Sequence, residues 1–147
     1  MRVVILGSGN GTNAKAILES QKKGNLGNAT VVGILSDQDD AGILKIADQY
    51  SISSSIAKCS QSKAKLSDAD QEIFIKKINV FNPHLIVLAG FMRILPSAFI
   101  EYFEKQIINI HPSLLPSFKG MNAIQQAFEH GVKISGCTVH QVSTEID

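Results

Sequence analysis

The sequence predicts an α/β fold, a doubly wound and mostly parallel sheet, and three observations carry that expectation. Four short runs are apolar without alternation, as strands buried on both faces are: Val3-Val4-Ile5-Leu6, Val31-Val32-Gly33-Ile34-Leu35, Leu85-Ile86-Val87-Leu88 and Ile107-Ile108-Asn109-Ile110. Segments with apolar residues at helical spacing separate them, and strands alternating with helices imply right-handed crossovers. The first strand also runs directly into a glycine-rich turn, Gly7-Ser8-Gly9-Asn10-Gly11-Thr12-Asn13, that opens a helix. A chain of 147 residues is long enough to bury a sizeable core, and no linker divides it, so residues 1–147 are expected to form a single domain.

Each element follows from its residues. After the turn, Ala14, Ile17 and Leu18 set a helix that fades into Lys22, Lys23 and Gly24. Ser36-Asp37 ends the second strand, and Ile43, Leu44 and Ala47 give a short second helix. The polar stretch 51–65 holds a weak strand near residues 52–56 and then a loop. A helix over residues 67–81 places Phe74, Ile78 and Phe81 on one face, with Asp68 and Gln71 as the expected capping pair. Asn82-Pro83 ends it. Beyond the next strand, Pro96 suits the first turn of a helix carrying Phe99, Ile100 and Phe103. Ile124, Ala127 and Phe128 predict a further helix that Gly131 ends, and residues 135–142 alternate as a last strand.

Composition narrows the function. The chain is 44% hydrophobic and 18% charged, ordinary for a globular protein, and its net charge of +1 with no basic run argues against nucleic acid as the main partner. No apolar run approaches the ~20 residues of a membrane span, and the N-terminal run breaks at Gly7, too early for a secretory signal. Cys59 and Cys137 have no CxxC or metal spacing, so reduced thiols in a cytoplasmic protein are expected.

The stretch Asn109-Ile110-His111-Pro112-Ser113-Leu114-Leu115-Pro116 concentrates the chemistry. Asn109 and His111 lie two apart, so on an extended backbone their side chains leave one face of the strand. Pro112 removes a ladder donor and ends the strand there. An amide and an imidazole thus stand at the edge where a parallel sheet binds ligands. Asn109 is suited to stabilise an oxyanion and His111 to move protons. The alternative is a plain strand end with one solvated histidine. In the glycine-rich turn, backbone N–H groups and a helix N-terminus face an anion together. Gly9 and Gly11 permit close approach, while Thr12 and Asn13 cap and donate. Thr12 stands where a dinucleotide fingerprint has its third glycine, and no G-K-[ST] is present, so a phosphate on a small molecule is the reading, against a purely structural turn. Asp147 lies beyond a strand carrying His140; adjacent parallel strands end on one edge, so its carboxylate would approach His111 and favour the imidazolium. A solvated terminal residue is the alternative. A metal site of His111, His140 and Asp147 is the rival, with spacings that are not diagnostic; no metal is expected.

Three stretches then carry a resemblance. Gly9-Asn10-Gly11-Thr12-Asn13, Ala89-Gly90-Phe91-Met92-Arg93-Ile94-Leu95 and Asn109-Ile110-His111-Pro112-Ser113-Leu114-Leu115-Pro116-Ser117-Phe118-Lys119-Gly120 strongly resemble the phosphoribosylglycinamide formyltransferase family of folate-dependent enzymes. The resemblance covers the whole chain. It implies a Rossmann-like formyltransferase fold and transfer of a formyl group from 10-formyltetrahydrofolate, the cosubstrate, to glycinamide ribonucleotide in purine synthesis, without a metal. The implied catalytic residues are Asn109, His111 and Asp147, and the implied phosphoribosyl site is Gly11, Thr12 and Asn13. Implied folate contacts are Met92, Arg93, Ile94, Leu95 and Asn109, with Ser143, Thr144, Glu145 and Ile146 through their backbone. Small molecules are the implied partners, with a homodimer the assembly to consider.

Departures accompany it. The family chain continues past the aspartate into a Gly-Gly turn and further elements, so this chain is expected to be C-terminally incomplete. The basic residue that meets the folate tail in many members is not obvious; Lys63 or Lys65 would serve. Ser143 and Thr144 stand where many members carry an acidic residue. Two alternatives remain: a methionyl-tRNA formyltransferase-like catalytic domain, which the Gly9–Asn13 motif argues against, and a non-catalytic phosphate- or nucleotide-binding module.

Overall fold

A computed structural model describes residues 1–59 and 64–144. The first half of the chain alternates β1 (Arg2–Leu6), α1 (Thr12–Lys22), β2 (Thr30–Ser36), α2 (Gly42–Gln49), β3 (Ser54–Ile56) and α3 (Asp68–Asn79). The second half adds β4 (Leu85–Leu88), α4 (Ser97–Tyr102), β5 (Ile107–His111), α5 (Ala123–Glu129) and β6 (Thr138–Gln141). The strands form one sheet in the order β3-β2-β1-β4-β5-β6. The chain winds outward from β1 through β2 to β3, then returns to the other side of β1 and continues through β4 and β5. That reversal leaves a crevice outside the carboxyl ends of β1 and β4, where sheets of this kind bind ligands.

Alternation along β1 divides the core into two layers. Val4 and Leu6 pack with Phe74 and Ile78 of α3 and Phe99 of α4 on one face. Val3 and Ile5 pack with Ala14 and Leu18 of α1 and Ile43 and Ala47 of α2 on the other. Phe74 and Phe99 are fully buried, so truncating either to alanine costs about 3–5 kcal/mol in transfer and cavity terms. This double coverage is why β1, β2 and β4 read as continuous apolar runs.

Three expectations change. The capping pair of α3 is one residue earlier than the sequence indicated. Ser67 Oγ accepts from the Asp70 N–H at 3.1 Å, and the Asp70 carboxylate accepts from the Ser67 N–H at 3.3 Å. Asp68 accepts from the Gln71 amide at 3.2 Å outside that box. Second, α5 buries Ala123 and Ala127, while Ile124 and Phe128 are 70% and 80% exposed; the apolar spacing marked the helix but not its inner face. Third, β6 is shorter than residues 135–142 and runs antiparallel to β5, pairing His111 with Thr138 and Asn109 with His140. The connection leaves and re-enters the sheet on one edge, and an antiparallel edge strand is a common end to a parallel sheet. Adjacent parallel strands thus cannot be what brings a carboxylate from beyond β6 to His111.

Candidate active site

At the end of β1 the chain is held by main-chain contacts. The Ser8 N–H donates to the Gly90 carbonyl at 3.0 Å, and the Ile43 N–H donates to the Gly9 carbonyl at 3.0 Å. Gly11 caps α1 in the left-handed region at φ 78°, with no side-chain cap and no acidic residue in the first turn. The leading N–H groups of α1 therefore keep the polarity that attracts an anion. Thr12 and Asn13 are exposed there; neither caps the helix through its side chain. The two glycines have different tasks. A Cβ on Gly11 would stand 2.7 Å from Ile43 Cα, whereas one on Gly9 would meet nothing within 4 Å. Gly11 admits α2, and Gly9 leaves room for something outside the fold.

The exit of β4 lies against this turn, because β4 and β1 are neighbours. The Met92 N–H donates to Ser8 Oγ at 2.9 Å. Residues 64–66 flank the same loop: the Ile94 N–H donates to the Ala64 carbonyl and the Leu66 N–H to the Ile94 carbonyl, which puts Lys65 in a bridge with Ile94. Met92 and Ile94 are exposed, and Leu95 belongs to the core. The Arg93 side chain turns inward, where Nε donates to Asp37 Oδ2 at 2.7 Å with the two side chains only 12% and 1% exposed. Gln38 Nε2 donates to the same oxygen at 2.8 Å. Burial pushes the Asp37 carboxyl up, but hydrogen bonding from Ser8, Arg93 and Gln38 and the charge of Arg93 outweigh it, holding the group below the usual range. Asp37 Oδ1 is buried without a hydrogen-bond partner.

The third segment is the end of β5, in register with β4 at Leu88 and Asn109. Asn109 and His111 are both there, but they have separate partners. Asn109 Nδ2 lies 3.3 Å from His140 Nε2, and His140 Nδ1 lies 3.2 Å from the Gln141 carbonyl. A carbonyl only accepts, so Nδ1 carries the hydrogen and Nε2 of the neutral ring receives the Asn109 amide. His111 is buried, and its Nε2 donates to the Phe118 carbonyl at 2.9 Å. The neutral ring then has its basic nitrogen at Nδ1. The intervening loop is tied to β6: Thr138 Oγ1 donates to the Ser113 carbonyl at 2.7 Å and accepts from the Leu115 N–H at 3.0 Å. The Leu115–Pro116 bond is cis.

Gly11, Thr12 and Asn13, the loop of Met92, Arg93, Ile94 and Leu95, and Asn109 with His111 thus meet on one edge of the sheet. Ser143 and Thr144 follow β6, whereas Lys63, Glu145, Ile146 and Asp147 lie outside the described residues. Among the described residues no group of three or more His, Cys, Asp or Glu is placed to hold a metal ion, and His140 is engaged with Asn109. Sequence reasoning missed Ser8, Asp37, His140 as the partner of Asn109, and the Phe118 carbonyl. Ser8 and Asp37 left a positional signal, since one lies in the glycine-rich turn and the other directly follows β2 on the same edge.

Known proteins resemble this chain along its whole length. The formyl transferase family matches residues 1–147. The phosphoribosylglycinamide formyltransferase of Escherichia coli is 37% identical over 147 residues, which cover 100% of this chain and 68% of that protein. The trifunctional purine biosynthetic protein adenosine-3 of Gallus gallus is 40% identical over 149 residues, again covering 100% of this chain but only 14% of the much longer protein. The crystal structure of phosphoribosylglycinamide formyltransferase from Anaplasma phagocytophilum superposes with a TM-score of 0.89 at 39% identity, covering 100% of this chain and 67% of that one.

Proposed function

The chain belongs to the formyl transferase family, and on that premise we propose that it transfers a formyl group from 10-formyltetrahydrofolate to the amine of glycinamide ribonucleotide, a step of purine synthesis. One observation supports the reading above the others. A turn suited to a phosphate, a loop exposing Met92 and Ile94, and a strand end carrying an amide and an imidazole converge on one edge.

In this reading the uncapped start of α1 at Gly11, Thr12 and Asn13 takes the phosphoribosyl group, and Gly9 leaves space for its approach. Met92 and Ile94 present side chains to the folate. Arg93 and Leu95, with side chains turned into the protein, contribute through their backbone, as do Ser143, Thr144, Glu145 and Ile146. Lys63 or Lys65, the latter in a bridge with Ile94, meets the anionic folate tail in this reading. The amine attacks the formyl carbon, and the carbonyl oxygen gains charge as the centre becomes tetrahedral. The Asn109 amide donates to that oxygen. His111 accepts the proton released by the amine, with Asp147 favouring the imidazolium, and a proton reaches the departing folate nitrogen as the carbon–nitrogen bond breaks. Holding both substrates side by side supplies much of the acceleration, with no covalent enzyme intermediate. No helix among the described residues is long and apolar enough to cross a membrane. The substrates are small molecules, and we place the enzyme in the cytoplasm.

The test is a formyl-transfer assay with 10-formyltetrahydrofolate and a choice of acceptors. Glycinamide ribonucleotide is expected to be formylated and methionyl-tRNA not. Formylation of the tRNA alone would transfer the chain to the other branch of the family, and phosphate binding without any transfer would make it a binding module.

A further inference from the structure

The Asp37–Arg93 pair lies behind the site. It joins the end of β2 to the loop after β4, a separation of 56 residues in sequence. The turn and the loop are also bonded directly, by Ser8 N–H to the Gly90 carbonyl and by the Met92 N–H to Ser8 Oγ. Three chain segments thus share one small polar cluster: the turn, the β2 exit and the 89–95 loop. A buried ion pair is weak evidence of stabilisation, because desolvation offsets the Coulombic gain. Its strength is geometric, since leaving either charge buried and unpaired is far more costly than keeping the pair in register. The loop after β4 cannot shift without parting Arg93 from Asp37, and the turn cannot shift without releasing Met92 from Ser8.

We infer that Asp37 and Arg93, which hold the folate loop from one side while Ser8 ties it to the turn, are positioning residues that fix the phosphoribosyl turn against the folate loop, so that a ligand on one is felt at the other. The inference deepens the proposed function and rests on its assignment of those two loops. Packed side chains and hydrogen-bond networks carry energetic coupling between two sites when each ligand biases the same arrangement of the shared element.

The experiment uses Asp37→Asn, which keeps the shape and removes the charge, and Ser8→Ala, which removes the acceptor for Met92 without touching the ion pair. Amide hydrogen exchange at Met92 is read in the ligand-free protein, with thermal stability in parallel. Calorimetry then measures the affinity for glycinamide ribonucleotide with and without saturating tetrahydrofolate, which has no formyl group to transfer. The unsubstituted chain is expected to bind each ligand on the order of 10-fold more tightly in the presence of the other. Both substitutions should speed Met92 exchange and remove most of that mutual effect, on the order of 10-fold for groups in direct contact. Unaltered Met92 exchange in Asp37→Asn overturns the clamp, whatever happens to affinity. So does a mutual effect that survives both substitutions. An unsubstituted chain that binds neither ligand would instead refute the substrate assignment, while Met92 exchange still decides whether the clamp exists.

Discussion

Around the glycine-rich turn, the groups turned to the site are peptide N–H and C=O, with Ser8 bonded to Gly90, Ile43 to Gly9, and the start of α1 uncapped. Across the β5–β6 pair the working groups are side chains, Asn109 on His140 and His111 against the Phe118 carbonyl. The first region is intolerant of added atoms at Gly11, where a Cβ would meet Ile43, and presents its ligand with backbone rather than side chains. The second has the opposite sensitivities, because its geometry survives a change of residue and its chemistry does not. Binding and bond-breaking are thus assigned to different parts of the polypeptide within one edge of the sheet.

The sharpest test of this contrast is His111→Ala. Turnover should fall by about 100- to 10,000-fold, the usual contribution of a positioned proton-transfer group, while KM for glycinamide ribonucleotide changes little. Steady-state kinetics at saturating substrates decide it, and turnover within a few-fold of the parent would remove His111 from the chemistry.

On the other side, Gly11→Val forces a β-branched residue into the left-handed region and a Cβ onto Ile43. The combined cost is about 2–5 kcal/mol, so calorimetric melting should shift down by about 5–15 °C. Gly9→Ala adds its methyl to open space and should leave the melting temperature within about 2 °C yet weaken ribonucleotide binding. Equal melting temperatures for the two variants would dissolve the distinction between a glycine for packing and a glycine for a ligand.

The smallest effect concerns acid. The folded-state Asp37 carboxyl is lowered from an ordinary value of 3.8, so its stabilising contribution is fully present above about pH 5 and is lost as pH falls through the lower, folded value. Chemical denaturation between pH 5 and pH 2 should show a steeper loss for the parent than for Asp37→Asn, and the two should be parallel above pH 5. A matching acid slope for both would mean that Asp37 does not contribute.

Much of this architecture was legible in the sequence. Val3-Val4-Ile5-Leu6 and Leu85-Ile86-Val87-Leu88 announce strands covered on both faces, and the His111-Pro112 step announces where β5 stops. What escaped detection depends on groups distant in the chain or on direction. Nothing local tells Asp37 that its partner is Arg93, nor tells β6 which way to run beside β5. Ser67 with Asp70 and Asp68 with Gln71 fit the same capping spacing, and only the dihedrals of Ser67 separate them. In α5 the larger residues face outward and two alanines face inward, so size misled where periodicity did not.

The acceptor that orients His111 is the carbonyl of Phe118, a non-glycine residue at φ 55°. Every amino acid brings the same carbonyl, so this contact is nearly invisible to genetics. Substituting Phe118 would alter the ring that meets His130 at 5.7 Å and the ease of the left-handed backbone, while the hydrogen bond remained. A mutational scan would therefore score position 118 as tolerant even though the imidazole depends on it. Phe118→Gly should even ease the local backbone. Only backbone chemistry exposes the dependence: replacing the residue at 119 by its α-hydroxy acid turns the 118 carbonyl into an ester, a weaker acceptor, without changing any side chain's position in the code.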